Sequence, residues 1–361
     1  MKIIHTADLH LDSALNTHLS PDKARIRRSE ILNNFRRLSI YAEEHGVQAV
    51  LIAGDLFDTE DVSKSAVMTV LDSVRSCPDI EYFYLRGNHD TNRNLSLEDI
   101  PENLHLFTGE WTCYSLSERI RVYGRETDQI NHEGLEEGLS AEEDKLNICL
   151  LHGEIREGSG TEAVIDLRAL RNRNIDYLAL GHIHTFSFDR LDNRGIYCYP
   201  GVLEGRGFDE LGRGGFVLLD TGERDDHLTM EFVPFALREI CRIPADVTGC
   251  LTSSGIIEKV LKVLEEKHIE ESSLLSILLT GQLDVECEKD LTYIRTALSS
   301  RYFSVTLTDR TTYTSKDEDY WYEESLKGEF IRQVLKSDIP EEDKQTVIRY
   351  GLQALKNEEI E

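Results

Sequence analysis

The sequence predicts an α/β protein with parallel strands in its first half, and three observations lead to this prediction. Short apolar runs alternate with amphipathic helical stretches over the first 85 residues, which is the rhythm of βαβ units. The runs contain almost no polar positions, as expected of strands that are covered on both faces. Aspartate, asparagine and histidine follow where the runs end. Because ligands bind at this carboxyl edge of parallel sheets, the same pattern predicts the place of a functional site.

The first elements follow one another closely. The first helix is predicted from helical periodicity, with apolar side chains at Ile31, Phe35 and Leu38. The βαβαβ order implies parallel pairing with right-handed crossovers. The predicted elements of this part are strands over 2–7, 47–53 and 80–85 and helices over 22–44 and 65–75.

The middle of the chain is less regular. Several short strands with glycine-rich turns between residues 186 and 234 predict a second sheet in the same domain, with antiparallel pairs. The pattern then restarts as a small α/β unit, an acidic connector over 317–324 follows, and Pro340 precedes the last helix. The predicted elements are strands over 119–123, 146–151, 177–180, 197–199, 216–219, 238–247, 274–279 and 303–308, and helices over 161–172, 256–267, 290–299, 330–335 and 341–356.

Composition restricts the class of protein. A chain of 361 residues is long enough for more than one domain, and 40% hydrophobic with 30% charged residues is typical of a soluble globular protein. No apolar run reaches the length of a membrane span, and the N-terminus enters a strand at once, so we expect neither a membrane segment nor a signal peptide. The seven cysteines are scattered without a C-x-x-C pair, which favours the reducing cytoplasm.

The charge balance bears on the partner. A formal net charge of −27 favours solubility and disfavours binding to a polyanion by this chain alone. A nucleic-acid substrate would therefore require local positive charge from metal ions, a partner or a small basic patch. The candidate patch is Arg25, Arg27 and Arg28 near the start of the first helix, which form either a solvated helix face or a phosphate contact.

The strand ends carry more candidate metal ligands than a single ion needs. Asp8 and His10 are two residues apart on a segment predicted to be extended, so both side chains should point to one side and reach one ion. All donors are oxygen or nitrogen, which favours Mn²⁺, Fe²⁺ or Zn²⁺, while the imidazoles disfavour Mg²⁺ and Ca²⁺. Two ions about 3.5–4 Å apart are natural if Asp55 bridges them. The seven candidates are Asp8, His10, Asp55, Asn88, His152, His182 and His184.

The same residues predict a reaction class. Two divalent ions carry four positive charges, and the carboxylates of Asp8 and Asp55 neutralise two of them. The remaining charge of about +2 suits a phosphate and a hydroxide. His89 follows the ligand Asn88 and should point into the cleft, where it stabilises transition-state charge or protonates the leaving oxygen. Asp58 is the candidate partner of its second ring nitrogen, and Asp90 is the alternative.

These motifs resemble the calcineurin-like metallophosphoesterase superfamily. The matching pattern is Asp8-x-His10, Gly54-Asp55-x-x-Asp58, Gly87-Asn-His-Asp90, His152 and Gly181-His-x-His184, in this order. The resemblance covers residues 1 to about 235 and implies a four-layer αββα sandwich with a dinuclear site. It also implies that Asp8, His10, Asp55 and His184 hold one metal, that Asp55, Asn88, His152 and His182 hold the other, and that Asp58 and His89 form a dyad.

Within the superfamily, the sequence is most similar to the SbcD/YhaO-type DNA repair exonucleases. The segment from Tyr199 to Glu210 resembles their Pro-Gly and Gly-Arg segment, which makes Arg206 a candidate DNA contact, and residues 325–357 resemble the YhaO-type ending. The resemblance implies a homodimer and a coiled-coil ATPase partner of the SbcC type. Residues 325–357 either bind this partner or only pack against the capping domain. It divides the chain into a nuclease domain (1–235), an α/β capping domain (236–312) and a connector with C-terminal helices (313–361).

Three functions follow as expectations. The first is a Mn²⁺-dependent phosphodiesterase that degrades DNA, with 3′→5′ exonuclease activity expected and endonuclease activity left open. The second is a phosphatase or phosphodiesterase for small molecules or phosphoproteins, which the charge of −27 favours. The third is a weakly active binding subunit of an SbcC-type ATPase complex, which the complete ligand set disfavours.

Overall fold

The computed structural model describes residues 1–15, 19–58, 62–90, 100–126, 134–155, 164–222, 227–284, 287–314 and 324–355. The chain forms two compact units, Met1–Arg238 and Glu239–Glu361. The first boundary therefore falls three residues after the predicted one, and the C-terminal helices belong to the second unit. In the described residues, no helix has the length and apolar character needed to cross a membrane.

The first unit contains a six-stranded sheet built on the predicted βαβαβ segment. Its first four strands in chain order pair in parallel, and two later strands add antiparallel pairs beyond the first. In spatial order the strands are β14 (Thr229–Pro234), β13 (Gly215–Asp220), β1 (Lys2–Thr6), β2 (Ala49–Ala53), β3 (Glu81–Leu85) and β4 (Leu104–Leu106).

A second six-stranded sheet completes this unit. Four of its strands are parallel, and the outer strands β11 and β5 pair antiparallel. In spatial order they are β11 (Ser187–Arg190), β12 (Ile196–Tyr199), β10 (Tyr177–Gly181), β7 (Leu146–His152), β6 (Ile120–Gly124) and β5 (Thr112–Ser115). The predicted second sheet and its antiparallel pairing are confirmed for β11 and β12, but the strand predicted over 216–219 is β13, which pairs antiparallel with β14 and β1 in the first sheet.

The two sheets pack face to face between helical layers. Alternate residues of a strand point to opposite faces, so Leu51 of β2 joins a core with Leu150 of β7, while Val50 faces outward to Phe35 of helix α1. Helices α1 (Pro21–Glu44) and α2 (Lys64–Ser76) cover the first sheet. The outer face of the second sheet is covered by the short helix α3 (Leu167–Leu170) and neighbouring segments. This arrangement is the predicted four-layer αββα sandwich.

One predicted helix is mostly absent. Of the predicted helix over 161–172, residues 161–163 lie outside the described residues, Val164–Ile165 forms strand β9, and only Leu167–Leu170 is helical. Strand β9 pairs in parallel with β8 (Glu154–Ile155). The β-branched pair Val164 and Ile165 favours strand, and the Asp166 side chain accepts a hydrogen bond from the Arg168 N–H, which starts the helix late.

The second unit is a small α/β structure. Its three-stranded sheet is parallel throughout, and the last two helices of the chain bury Ile331 and Ile348 in the same core as the sheet. Most of the predicted acidic connector lies outside the described residues. The elements are β15 (Ile240–Asp246), α4 (Ser253–Glu266), β16 (Leu274–Thr280), β17 (Gln282–Asp284), α5 (Leu291–Ser299), β18 (Ser304–Asp309), β19 (Thr312–Thr314), α6 (Leu326–Lys336) and α7 (Glu341–Leu355).

Candidate metal centre

The carboxyl ends of five strands in the first unit bring the seven predicted ligands together. Each ligand follows or ends a strand. Parallel strands end at the same edge of their sheet, so these residues lie close together. Asp8 and His10 follow β1, Asp55 follows β2, Asn88 follows β3, His152 ends β7, and His182 and His184 follow β10.

One group of donors surrounds His10. Ligand atoms of Asp8, His10 and His184 lie within 4.8 Å of one another. The Nε2 atoms of His10 and His184 are only 3.3 Å apart, so the two imidazoles face the same small volume through these nitrogens. Asp8 and His10 are about 1% exposed. A pair of facing imidazole nitrogens, one from a buried and one from a half-buried histidine, next to a carboxylate suits a divalent cation of the kind predicted.

The second group of donors surrounds Asn88. The Oδ1 atom of Asn88 is 2.9 Å from His152 Nε2 and 3.3 Å from His182 Nδ1. The other ring nitrogen of His152 lies 2.9 Å from the Ala53 carbonyl oxygen, to which its N–H donates. That hydrogen bond fixes the tautomer and leaves Nε2 with a lone pair toward the site.

Asp55 lies between the two groups. Its Oδ2 atom is 3.4 Å from His152 Nε2 and 3.9 Å from His10 Nε2. Its Oδ1 atom accepts a hydrogen bond of 2.9 Å from the backbone N–H of His89. One oxygen therefore faces both groups while the other holds the loop that follows β3, which is the geometry expected of a bridging ligand.

The backbone at the site is strained. Asp8, His10, Asp55 and His182 all have positive φ, at 51°, 47°, 50° and 99°. Residues with a Cβ rarely adopt this region, and such strain costs of the order of 1–3 kcal/mol per residue. Four strained residues among seven predicted ligands indicate a conformation that is kept for the site and stabilised by the surrounding sheets.

Two glycines of the motifs are required by close packing. A Cβ at Gly54, which has φ +90°, would lie 2.1 Å from His152 Nδ1. A Cβ at Gly87 would lie 2.2 Å from Asp55 Oδ1. Any side chain at either position would displace a predicted ligand, so both glycines serve the geometry of the centre.

Electrostatics at the centre favour bound cations. Burial raises the pKa of Asp8 to about 7, because a carboxylate away from water loses its solvation. Burial also acts to lower the pKa of His152, but the hydrogen bond and charge of Asp55 outweigh it and raise the pKa to about 9. Two buried carboxylates among four imidazoles form a donor set that divalent ions would hold in the ligating form, with the carboxylates ionised and the imidazoles neutral.

The predicted Asp58–His89 dyad takes a different form. The Nδ1 N–H of His89 donates to the backbone carbonyl of Asp58, at 3.0 Å, and not to its carboxylate. The carboxylate instead lies 3.0 Å from His10 Nδ1 and pairs with Arg206. His89 is exposed, and its ring centroid is 5.1 Å from that of His10, so it lies beside the predicted ligands with Nε2 available.

Asp90 has a separate structural function. Its carboxylate accepts hydrogen bonds from the backbone N–H groups of Leu56, Phe57 and Gly87, at 3.2, 2.9 and 2.9 Å. It thereby joins the loop after β2 to the loop after β3. Asp90 is therefore not the ring partner of His89; it fixes the two loops that carry Asp55 and His89.

The predicted basic patch is only partly accessible. Arg27 is completely buried, because its guanidinium pairs with Glu30 and Glu204 at 2.7 and 2.8 Å and donates to the Gly205 carbonyl at 2.6 Å. The prediction that Arg27 contacts DNA is therefore wrong. Arg25 and Arg28 are exposed, and they remain predicted contacts.

Replacement of Arg27 by alanine tests this assignment. We expect the free energy of unfolding to fall by about 3–5 kcal/mol, because the change leaves the buried Glu204 carboxylate without its guanidinium. Urea denaturation measures the loss. Arg25→Ala, at a side chain that is 79% exposed, is the control and should change stability by less than about 0.5 kcal/mol. Equal stability of the two variants would contradict the buried position of Arg27.

Sequence reasoning also missed a residue of the centre. Glu210 is buried, and its Oε1 atom is 2.8 Å from His184 Nδ1. Arg206, predicted as a DNA contact, is engaged by Glu210 and Asp58. The only signal in the sequence was the Gly205-Arg-Gly-x-x-Glu210 segment, which does not say which histidine the glutamate meets.

Comparison with known proteins places the chain in a family. Residues 1–186 match the model of the calcineurin-like phosphoesterases, so the chain belongs to this family of metal-dependent hydrolases. The sequence resemblance to the superfamily is thus confirmed. Members of the family use divalent metal ions, which agrees with the donor set described above.

The sequence aligns with individual relatives over most of its length. It is 28% identical to the SbcD component of the SbcCD nuclease of Staphylococcus epidermidis, over 77% of this chain and 79% of that protein. It is 25% identical to the DNA double-strand break repair protein Mre11 of Sulfurisphaera tokodaii, over 78% of this chain and 74% of that protein. Among solved structures it is similar to TT1561 of Thermus thermophilus, with 14% identity, a TM-score of 0.41, and coverage of 64% of this chain and 98% of the other.

Proposed function

We propose that the protein is a metal-dependent nuclease that hydrolyses DNA phosphodiester bonds in DNA repair. The observation that carries the proposal is the convergence of seven nitrogen and oxygen donors at the carboxyl ends of strands from both sheets, with Asp55 between two groups. The substrate class is supported by relatives that are named as a nuclease component and as a double-strand break repair protein.

Two Mn²⁺ ions are the proposed cofactors, with Fe²⁺ or Zn²⁺ as substitutes, because imidazoles dominate the donor set. One ion would be held by Asp8, His10, Asp55 and His184, and the other by Asp55, Asn88, His152 and His182. When bound, the ions supply the positive charge that neutralises a phosphodiester and makes water a better nucleophile at neutral pH.

His89 is the proposed catalytic residue. Its Nδ1 N–H is held by the Asp58 carbonyl, so Nε2 is directed to the outer side of the centre, where the residue is exposed to a substrate. From there a protonated imidazole stabilises charge on the phosphate oxygens or gives a proton to the leaving oxygen. Asp58 supports His89 through its backbone and His10 through its carboxylate.

Further features of the proposal are cleavage in the 3′→5′ direction, with endonuclease activity open, and a homodimer with an SbcC-type ATPase partner. A partner would contribute positive charge that a chain of net charge −27 lacks. The apolar faces of α6 and α7 are buried in the second unit, so such a partner would contact their exposed faces. The proposed cytoplasmic location is supported by the seven cysteines, all in the described part of the chain, none of which forms a disulfide there.

The net charge favours one other candidate function, hydrolysis of small phosphoesters or phosphoproteins. An acidic protein surface repels DNA more strongly than a small phosphoester, because the small substrate carries fewer negative charges. The same metal centre would serve both reactions. A purely binding function is disfavoured, because a scaffold needs neither strained ligands nor the oriented His89.

Cleavage of end-labelled single- and double-stranded DNA with added Mn²⁺ tests the proposal. We expect degradation from an end, and we expect the His89→Ala variant to be inactive. A chromogenic phosphodiester is the parallel substrate. Efficient cleavage of the chromogen with every DNA substrate intact would favour the small-substrate function, whereas no cleavage of either would contradict phosphoesterase activity in this chain alone.

A further inference from the structure

We propose that Glu210, held in place by Arg206, is a positioning residue of the metal centre that fixes the imidazole of His184. The inference rests on the proposed metal ligands and concerns how they are oriented. Glu210 is 5% exposed and lies on the loop between β12 and β13. Nothing in the strand-end motifs predicts it, since it follows His184 by 26 residues.

The contact between Glu210 and His184 determines which nitrogen faces the site. Glu210 Oε1 is 2.8 Å from His184 Nδ1, a distance at which the carboxylate favours the proton on Nδ1. The Nε2 atom of the same ring is 3.3 Å from His10 Nε2 and carries the lone pair. A carboxylate on one nitrogen and a cation on the other is the arrangement that orients histidine ligands in metal sites and raises their basicity.

Arg206 holds the carboxylate in that position. Its Nε and Nη2 atoms donate to Glu210 Oε1 at 3.1 and 2.8 Å, and its backbone N–H donates to Oε2 at 2.6 Å. The remaining terminal nitrogen, Nη1, is 2.5 Å from Asp58 Oδ1. A planar guanidinium suits this task, because its N–H groups point in fixed directions toward two separate acids.

The two acids flank the two facing histidines. Glu210 contacts Nδ1 of His184, and Asp58 Oδ1 lies 3.0 Å from Nδ1 of His10, although off the line of its N–H. Arg206 lies between the acids and compensates part of their charge. A single arginine thus contacts both acids that lie beside the two histidines of this donor group.

The loop itself is anchored to α1. Glu204 accepts hydrogen bonds from Asn34 and from the Leu237 backbone N–H, at 2.9 and 2.6 Å, and the Gly205 carbonyl accepts one from Arg27. The residues next to Arg206 are therefore fixed by buried contacts. This anchoring allows a loop, rather than a strand end, to position a metal ligand.

The expected consequence is selective. Loss of such an outer carboxylate typically weakens metal binding about 10–100-fold. Only the ion held by His10 and His184 should be affected, because the other ion's histidines are oriented by different groups. His152, for example, is fixed by the Ala53 carbonyl.

The test is Mn²⁺ binding to the full chain after removal of metal with a chelator, followed by calorimetry. Wild-type protein should bind two ions. In Glu210→Ala one site should weaken about 10–100-fold while the other keeps its affinity, and Glu210→Gln should recover part of the loss, because the amide oxygen still accepts from Nδ1. Asp209→Asn, at the exposed acid next to Glu210, is the matched control and should bind as wild type does.

A second readout reports on the ring itself. Nitrogen NMR of the metal-free protein should show His184 protonated at Nδ1 in wild type and a shift toward the Nε2 tautomer in Glu210→Ala. Unchanged affinities and an unchanged tautomer would overturn the inference. Equal weakening of both sites would also overturn it, since it would indicate a general effect on the fold. Absence of Mn²⁺ binding by wild type would instead contradict the proposed metal centre, and DNA cleavage is measured separately.

Discussion

Replacing Asp55 by alanine should remove both metal ions and reduce phosphodiester cleavage to background. Asp55 Oδ2 lies 3.4 Å from His152 Nε2 and 3.9 Å from His10 Nε2, so one carboxylate serves both donor groups. Metal ions contribute several kcal/mol of transition-state stabilisation, and each 1.36 kcal/mol is a factor of about ten in rate. We therefore expect at least about a 1,000-fold loss of kcat/KM.

Metal content after equilibration with Mn²⁺, measured beside the cleavage rate, checks this expectation. Asp55→Asn is the informative companion, because its amide oxygen can still accept the hydrogen bond from the His89 N–H while the charge is lost. It separates bridging of the ions from support of the loop. Asp79→Ala, at an exposed residue before β3, is the surface control. Two tightly bound ions in Asp55→Ala would show that Asp55 does not bridge.

Replacing His89 by alanine should have the opposite pattern, with both ions retained and turnover lost. His89 is not among the ligands predicted for either ion, although ligand atoms of His89, His10 and Asp58 lie within 4.8 Å of one another, and its Nδ1 is occupied by the Asp58 carbonyl. General acid and electrostatic contributions of a histidine are worth about 10²–10⁴ in rate, so kcat should fall by that factor. KM should change little if the histidine acts mainly in the transition state.

The measurements are kcat, KM and bound Mn²⁺ for the same preparation. His45→Ala is a suitable control, because His45 is an exposed histidine at the end of α1 in the same unit. Loss of the ions in His89→Ala would assign the residue to the ligand set. Full activity with both ions bound would remove His89 from the mechanism.

The location of the centre was predictable because chain order and sheet geometry coincide. Asp8, Asp55 and Asn88 follow three consecutive parallel strands, and such strands end at one edge. His152 and His182 follow two strands of the other sheet, which are also neighbours and parallel. Apolar runs that are covered on both faces make these strands recognisable without any knowledge of the fold.

Features that depend on side-chain direction were predicted less well. The carboxylate of Asp58 meets His10 rather than His89, because the turn after β2 presents its carbonyl, not its side chain, to the following loop. Arg27 appears in the sequence as one of several basic residues on a helix, yet it is the one that faces inward. Spacing alone did not distinguish it, since the acid that stabilises it, Glu204, is far away in sequence.

The sequence by itself determined the fold class, the edge at which polar residues gather and the identity of the seven predicted ligands. These depend on local patterns: hydrophobic periodicity, turn residues, and residue types at strand ends. Only the tertiary structure decided that Glu210 contacts His184, that Arg206 contacts Glu210 and that Arg27 is buried. Both depend on long-range hydrogen bonds between charged groups, whose partners are chosen by packing and not by distance along the chain.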